Sequence, residues 1–257
     1  MALTLKNRFA RFGNAVIFPL IILLTWQVLG MMGVLYETIL PSPVKVLNAF
    51  IAILQDGSLA TDVWVSLKRV LTGAFFGILA GLVLGFVSGL VPFVERLFQP
   101  IIDVIRQISL YAWIPLIVLW FGIGETSKDI IIARGVFIPV YINCVSGIKN
   151  IQKEYVELGQ VLELSKSTFL KKIVFPSAAP VIFTGLRLAV GDAWTAVVAA
   201  EVLGGLTGLG YALLNAKEFL KSDKLIALMF VIAVLAALSD FILKQIEKRA
   251  FKWKENL

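Results

Sequence analysis

The 257-residue chain is 59% apolar with a mean hydropathy of +0.89, and 16% of its residues are charged, where a soluble domain of this size carries about a quarter. It has one cysteine, Cys144, and no histidine. That excludes an intrachain disulfide, a Cys/His zinc site and any histidine-based catalytic relay, and no metal site is expected. The net charge of +7 therefore has to be explained by where the cations sit in a membrane-type sequence.

A bilayer core of roughly 30 Å needs about 20 helical residues. Six apolar segments meet that length, at 15–36, 70–94, 107–124, 130–148, 178–203 and 225–243. Short alternating strands are absent, so the reading is an all-α membrane protein with six transmembrane helices, residues 1–257 forming one domain. Lys6, Arg8 and Arg11 precede the first segment in the manner of a signal peptide. The apolar stretch is too long for that and lacks a small-x-small cleavage site, so it reads as an uncleaved first helix.

The loop at 37–62 begins ETILPSPVKVLNAF. Pro41 and Pro43 stiffen its entry, and Ser42 is placed to cap a short surface helix starting at Pro43. In the second span Gly73, Gly77, Gly81, Gly85 and Gly89 recur every fourth residue and form one stripe. Small residues let backbones approach within lipid. The stripe faces either another helix of this chain or a second copy, and the sequence does not separate the two. Pro115 and Pro139 fall inside the third and fourth spans and favour kinks there.

Residues 150–175, NIQKEYVELGQVLELSKSTFLKKIVF, form the long polar connection between the fourth and fifth spans. Val156, Leu158, Val161, Leu162 and Leu164, with Glu154, Glu157 and Glu163 interspersed, suggest an amphipathic helix. Ser165 or Ser167 is placed to cap a second helix running into Phe169, Leu170, Ile173 and Val174. Two short helices joined by a turn make an elbow suited to docking a soluble partner.

Cation placement orients the chain. With both termini cytoplasmic, the inside holds Lys6, Arg8, Arg11, Arg96, Lys149, Lys153, Lys166, Lys171, Lys172, Lys244, Lys248, Arg249, Lys252 and Lys254, against Lys45, Lys128, Lys217, Lys221 and Lys224 outside. Fourteen against five is a positive-inside bias. The basic charge reflects topology and anionic inner-leaflet lipid, and it gives no support for a nucleic-acid partner.

Charges inside spans mark candidate solute paths, because lipid disfavours them. Arg134, Arg187, Asp192 and Glu201 are of this kind, and Trp194 and Tyr111 are aromatic candidates beside them. Arg134 and Glu201 are expected in one layer near the outer ends of their spans, as a pair. Asp103 and Arg106 flank the inner end of the third span. The competing reading is that these ions pair and hold helices together. No catalytic constellation is visible, so an enzyme is not expected. No G-x-x-x-x-G-K-[ST] phosphate loop is present either, so any ATP must bind on another subunit. An ion-gradient-driven secondary transporter is the alternative class.

The segment EYVELGQVLELSKSTFLKKIVFPSAAPVIFTGLR resembles the cytoplasmic EAA loop of binding-protein-dependent ABC transporter permeases, closest to the nitrate, sulfonate and taurine branch. LPSP after the first span, PLIVLWFGIGETSK, Gly208 to Tyr211 and the basic C-terminus agree with it in order. Glu157, Leu158 and Gly159 stand at the Glu-Ala-Ala places and Pro176 at the later proline, while Glu163 stands where the family has glycine. Glycine there permits the sharp turn. With Glu163, the turn shifts toward Ser165, or Glu163 takes a strained backbone, or it pairs with a partner's cation.

The resemblance implies the type I ABC importer permease fold in the inner membrane. Two permease subunits, as a homodimer, would form the pore for a small, possibly anionic solute. Two cytoplasmic ATPase subunits carrying ATP and Mg would grip the coupling helix through Glu154, Glu157, Leu158, Gly159, Val161, Leu162, Glu163 and Ser165, and an extracytoplasmic binding protein would deliver the solute. The chain itself would hold no cofactor.

Overall fold

The computed structural model describes the backbone of residues 2–251 and the side chains of residues 17–251. Lys6, Arg8, Arg11, Lys252 and Lys254, which contribute to the orientation argument, lie outside the described side chains. The described residues form helices α1 (Ala2–Met31), α2 (Pro43–Gln55), α3 (Ser58–Leu90), α4 (Pro92–Gln107), α5 (Leu110–Phe121), α6 (Glu125–Lys149), α7 (Lys153–Val161), α8 (Lys166–Phe169), α9 (Phe175–Gly204), α10 (Leu209–Glu218) and α11 (Ser222–Ala250). A π-helical turn, Leu170–Val174, joins α8 to α9, and no strand occurs among the described residues.

Four of these helical stretches are long and apolar enough to cross a bilayer: Ser58–Leu90, Glu125–Lys149, Lys166–Gly204 and Ser222–Ala250. The expected third span, 107–124, is not a single helix. Gln107 ends α4, the chain breaks at Ile108 and Ser109, and α5 turns 103° away from α4. At 12 residues, α5 is about 18 Å long, short of the roughly 30 Å core, so by length and composition the count rises to five only when the bent pair α4–α5 is taken as one span. Ile17–Met31 is a shorter apolar stretch of α1.

Contacts divide the chain into two compact units, Met1–Thr61 with Ala212–Val231, and Asp62–Tyr211 with Ile232–Leu257. In the first, α2 begins at Pro43 as expected, with Ser42 at the cap position but making no side-chain cap bond. Gln27 Oε1 accepts from the Val44 N–H at 3.4 Å, and Lys45 pairs with Glu37.

The second unit is built on a stack of three helices. Cβ atoms built on Gly73, Gly77, Gly81, Gly85 and Gly89 would lie within 3.0 Å of Ile132, Val136, Val140, Cys144 and Ile148 respectively. The glycine stripe of α3 is thus used inside the chain, against α6. Both series rise together by four, so α3 and α6 run parallel. On its other face α6 meets α9 antiparallel: Gly147 is opposite Ala178 and Val181, Gly185 opposite Pro139 and Asn143, and Gly135 opposite Ala196 and Asp192.

Parallel α3 and α6 require the intervening chain to return from one end of the stack to the other. The bent α4–α5 pair makes that return. Glu95 near its start binds Lys149 at 2.7 Å, at the end where α7 follows. Glu125, just after it, binds Arg69 at 2.7 Å, at the far end.

Candidate functional site

The elbow at 150–175 is two-helical, as its periodicity predicts. On α7, Tyr155, Leu158, Val161 and Leu162 are exposed, as are Glu154 and Glu157. Gly159 is buried on the opposite side, where a Cβ would come within 2.8 Å of the Phe169 ring and 3.0 Å of Ile173. Helix α7 is therefore pressed against the second arm while an apolar and acidic face stays open. That second arm is continuous with α9 through the π-helical turn. The joint helix, Lys166–Gly204, has 39 residues.

The turn resolves the question raised by Glu163. Its φ is +46°, the left-handed region that glycine normally occupies. The Leu164 N–H donates to the Gly159 carbonyl at 3.1 Å and the Glu163 N–H to that of Gln160 at 3.0 Å, the paired bonds of a Schellman motif. The turn has not shifted: glutamate adopts the glycine geometry. Ser165 caps the next helix, its Oγ accepting from the Thr168 N–H at 3.3 Å.

At the far end lies a charged cluster that the sequence reading did not assemble. Glu201, fully buried, accepts from Ser66 Oγ at 2.8 and 2.9 Å, Arg69 Nη1 at 2.7 Å and the Gly210 N–H at 2.8 Å. Arg69 also holds Glu125 with Nε and Nη2, both at 2.7 Å, and the Thr207 carbonyl at 2.8 Å. Lys128 reaches Glu125 at 2.8 Å. Gly208 has φ +102°, and a Cβ there would collide with the Glu201 carboxylate. The Gly-Leu-Gly-Tyr motif is thus a cradle for Glu201. Available signals were Arg69 at the edge of a span, Glu125 inside GIGETSK, and that motif.

The expected Arg134–Glu201 pair does not form. Arg134 Nη2 donates to the Ile105 and Ile108 carbonyls at 2.6 and 2.7 Å, capping the end of α4 at the bend, and its Cζ lies 5.5 Å from the Trp113 ring centroid. Arg134 lies nine residues along α6 from Glu125, about 14 Å, and is level with Asp192 rather than with Glu201.

Arg187 is consumed by α11, with Nε and Nη2 on Asp240 at 2.9 and 3.1 Å and Nη1 on Glu247 at 3.3 Å. Trp194 is buried and donates to Ser239 Oγ at 3.1 Å. Both brace α9 against α11 within this unit. Asp192 is exposed on α9 with Thr184, Leu188, Gly191 and Thr195. It has no hydrogen bond or ion pair among the described residues. Tyr111 is exposed on α5. Asp103 and Arg106 make a 3.7 Å pair on α4.

Residues 74–252 match the model of the family described as binding-protein-dependent transport system inner membrane component. SsuC of Bacillus subtilis, named for aliphatic sulfonates transport, is 34% identical over 243 residues, covering 95% of this chain and 88% of that protein. The taurine transport system permease protein TauC of Escherichia coli is 34% identical, covering 91% of this chain and 86% of that one. An inward-facing structure of the MetNI methionine ABC transporter shares the fold, with a TM-score of 0.58 at 18% identity over 76% of this chain and 95% of that one. The elbow, the crossing helices and this match together place the chain in the family of inner membrane permease components of binding-protein-dependent ABC transport systems.

Proposed function

We propose that α7 is the element through which ATP hydrolysis on a separate subunit drives this multi-pass inner-membrane permease. The observation that carries the reading is the open face of Tyr155, Leu158, Val161 and Leu162, flanked by Glu154 and Glu157. A solvated polar loop has no reason to present four apolar side chains, whereas a docking helix does. Gly159 ties this face to Phe169 and Ile173, so a push on α7 passes into a single helix of 39 residues, about 58 Å long. That helix carries Asp192 at mid-depth and Glu201 at the far end.

In this reading α7 is cytoplasmic, as are both termini, and residues 1–257 serve as one permease domain. Two copies of the chain pair around the solute path, each held by one of two ATPase subunits that carry ATP and Mg. An extracytoplasmic binding protein delivers the solute. The relatives named for aliphatic sulfonates and taurine support an organic oxoanion as that solute. An ion-gradient carrier would leave the open face of α7 without a use.

Changing Glu157 to Arg tests this. The acidic rim of the docking face is reversed at an exposed position, so insertion and folding stay normal. Co-purification of the ATPase, or ATP-driven uptake into proteoliposomes, is expected to fall by at least about tenfold, the effect of reversing one interfacial charge. Unchanged uptake, or uptake sustained by an ion gradient without ATP, sinks the reading.

A further inference from the structure

Helix α4 has three sides. Successive residues are turned by about 100°, which puts Ile102 and Ile105 together on one of them. That side is packed, with buried Ile102 against Ile138, Tyr141 and Val145 of α6 and Ile105 beside it. Phe93, Leu97, Ile101 and Val104 share a second side, and all four are exposed. Gln99, Asp103, Arg106 and Gln107 share the third. Asp103 accepts from Gln99 Nε2 at 3.3 Å and pairs with Arg106 at 3.7 Å. This ion pair is open rather than enclosed, with side-chain exposures of 39% and 52%, and Gln107 is exposed beyond it.

The polar side runs deep. Glu95 binds Lys149 at one end of α6, whereas Arg134 holds the Ile105 and Ile108 carbonyls. Arg134 lies fifteen residues along α6 from Lys149, about 22 Å, which is past the middle of a core of roughly 30 Å. Helix α4 therefore climbs from the Lys149 end to mid-depth and carries an open ion pair with it. The chain then breaks at Ile108 and Ser109, both exposed, and the Ser109 side chain makes no cap bond. Lipid satisfies neither open ions nor non-helical backbone at this depth, and such groups lie against protein or a water-filled cavity. The apolar side of the same helix is what lipid accommodates.

We infer that α4 separates lipid from water, and that its polar side, from Gln99 through Asp103 and Arg106 to Gln107, lines the half of the solute path that opens at the Lys149 end. The exposed break at Ile108 and Ser109 is the deepest point of this lining. The inference rests on the proposed importer function and names the side of the permease along which its hydrophilic solute passes.

The test uses the permease–ATPase complex in proteoliposomes, where Cys144, the only native cysteine, is fully buried and silent. Gln99→Cys and Gln107→Cys place thiols on the polar side, and Leu97→Cys and Val104→Cys place them on the apolar side at neighbouring depths. Each is exposed to a small charged methanethiosulfonate present on both faces of the membrane. The reagent attacks thiolate, and lipid keeps a thiol protonated. The polar-side thiols should therefore react at least about tenfold faster than the apolar-side thiols, the effect of a single unit of pKa. Modification should stop ATP-driven uptake by Gln107→Cys and spare uptake by Leu97→Cys. Equal rates on the two sides, or faster reaction on the apolar side, overturns the inference. So does Gln107→Cys that links two copies by a disulfide without reacting, or uptake that survives complete modification at that position. The ATP dependence of uptake by the unaltered complex is read in parallel. Uptake that needs no ATP sinks the importer reading, and the contrast between the two sides of α4 still decides where the water lies.

Discussion

Glu163 shows how a departure from a family pattern is absorbed at one residue. An L-residue in the left-handed region is disfavoured by about 1–2 kcal/mol relative to ordinary helical geometry. The two bonds of the Schellman motif and the Gly159–Phe169 contact hold it there. Glu163→Gly is therefore expected to stabilise the elbow by about 0.5–1 kcal/mol, the release being partly offset by the greater freedom of glycine in the unfolded chain. A small rise in the unfolding midpoint in detergent, with ATPase co-purification intact, is the expected result. Glu201 behaves in the opposite way. It is fully buried among Arg69, Ser66 and Gly210. Glu201→Ala leaves Arg69 short of one carboxylate, and removal of one partner from a buried pair costs about 3–5 kcal/mol. Chemical unfolding in micelles should show that loss, while Lys68→Ala, at an exposed neighbouring position, should stay within about 0.5 kcal/mol.

At the scale of elements, the glycine stripe supplies a close backbone approach between two helices of the second unit. Gly81→Leu would drive a side chain into Val140, whose Cβ already lies 2.9 Å from the built Cβ of Gly81. A loss of about 1–3 kcal/mol is the usual effect of overpacking. Here it should be at the upper end or beyond, because the neighbouring glycines keep α3 and α6 in register. A large fall in the amount of monodisperse protein recovered from membranes is expected. This element was legible as a stripe of period four, although only the structure shows that its partner is α6 rather than a second copy. The two-helix elbow was legible for a similar reason, since periodicity and a capping serine are local signals. The broken crossing was not. Glu95, Arg96, Asp103 and Arg106 place α4 outside any apolar window, and neither glycine nor proline marks the 103° bend. Pro115, the residue expected to kink this region, lies inside α5 beyond the break. What holds the bend is Arg134, from a different helix, and such a long-range cap leaves no trace in the local sequence.

The same principle explains the misplaced ion pair at the scale of the whole chain. Depths counted from apolar runs start α6 at residue 130, whereas the helix begins at Glu125. The layer containing Arg134 therefore moved inward, from Glu201 to Asp192. Helices outrun the bilayer core, and the hydropathy window sees only the core. Sidedness is the remaining large-scale expectation, and the second unit allows a clean test. Gln160 on α7 and Thr126 at the start of α6 are both exposed and lie at opposite ends of the α3–α6–α9 stack. Cys144, the only native cysteine, is fully buried, so it adds no background. Burial of its thiol among Leu82 and Ile148 keeps reagents out. With both termini cytoplasmic, Thr126→Cys should react with a membrane-impermeant maleimide in intact spheroplasts, and Gln160→Cys should react only after permeabilisation. The reverse pattern would put the α7 face outside, where no cytoplasmic ATPase can reach it, and would refute the proposed drive. Adding the purified ATPase to permeabilised membranes should then protect Gln160→Cys and leave Thr126→Cys reactive, because the docking face and the solute-entry end are separated by the whole thickness of the stack.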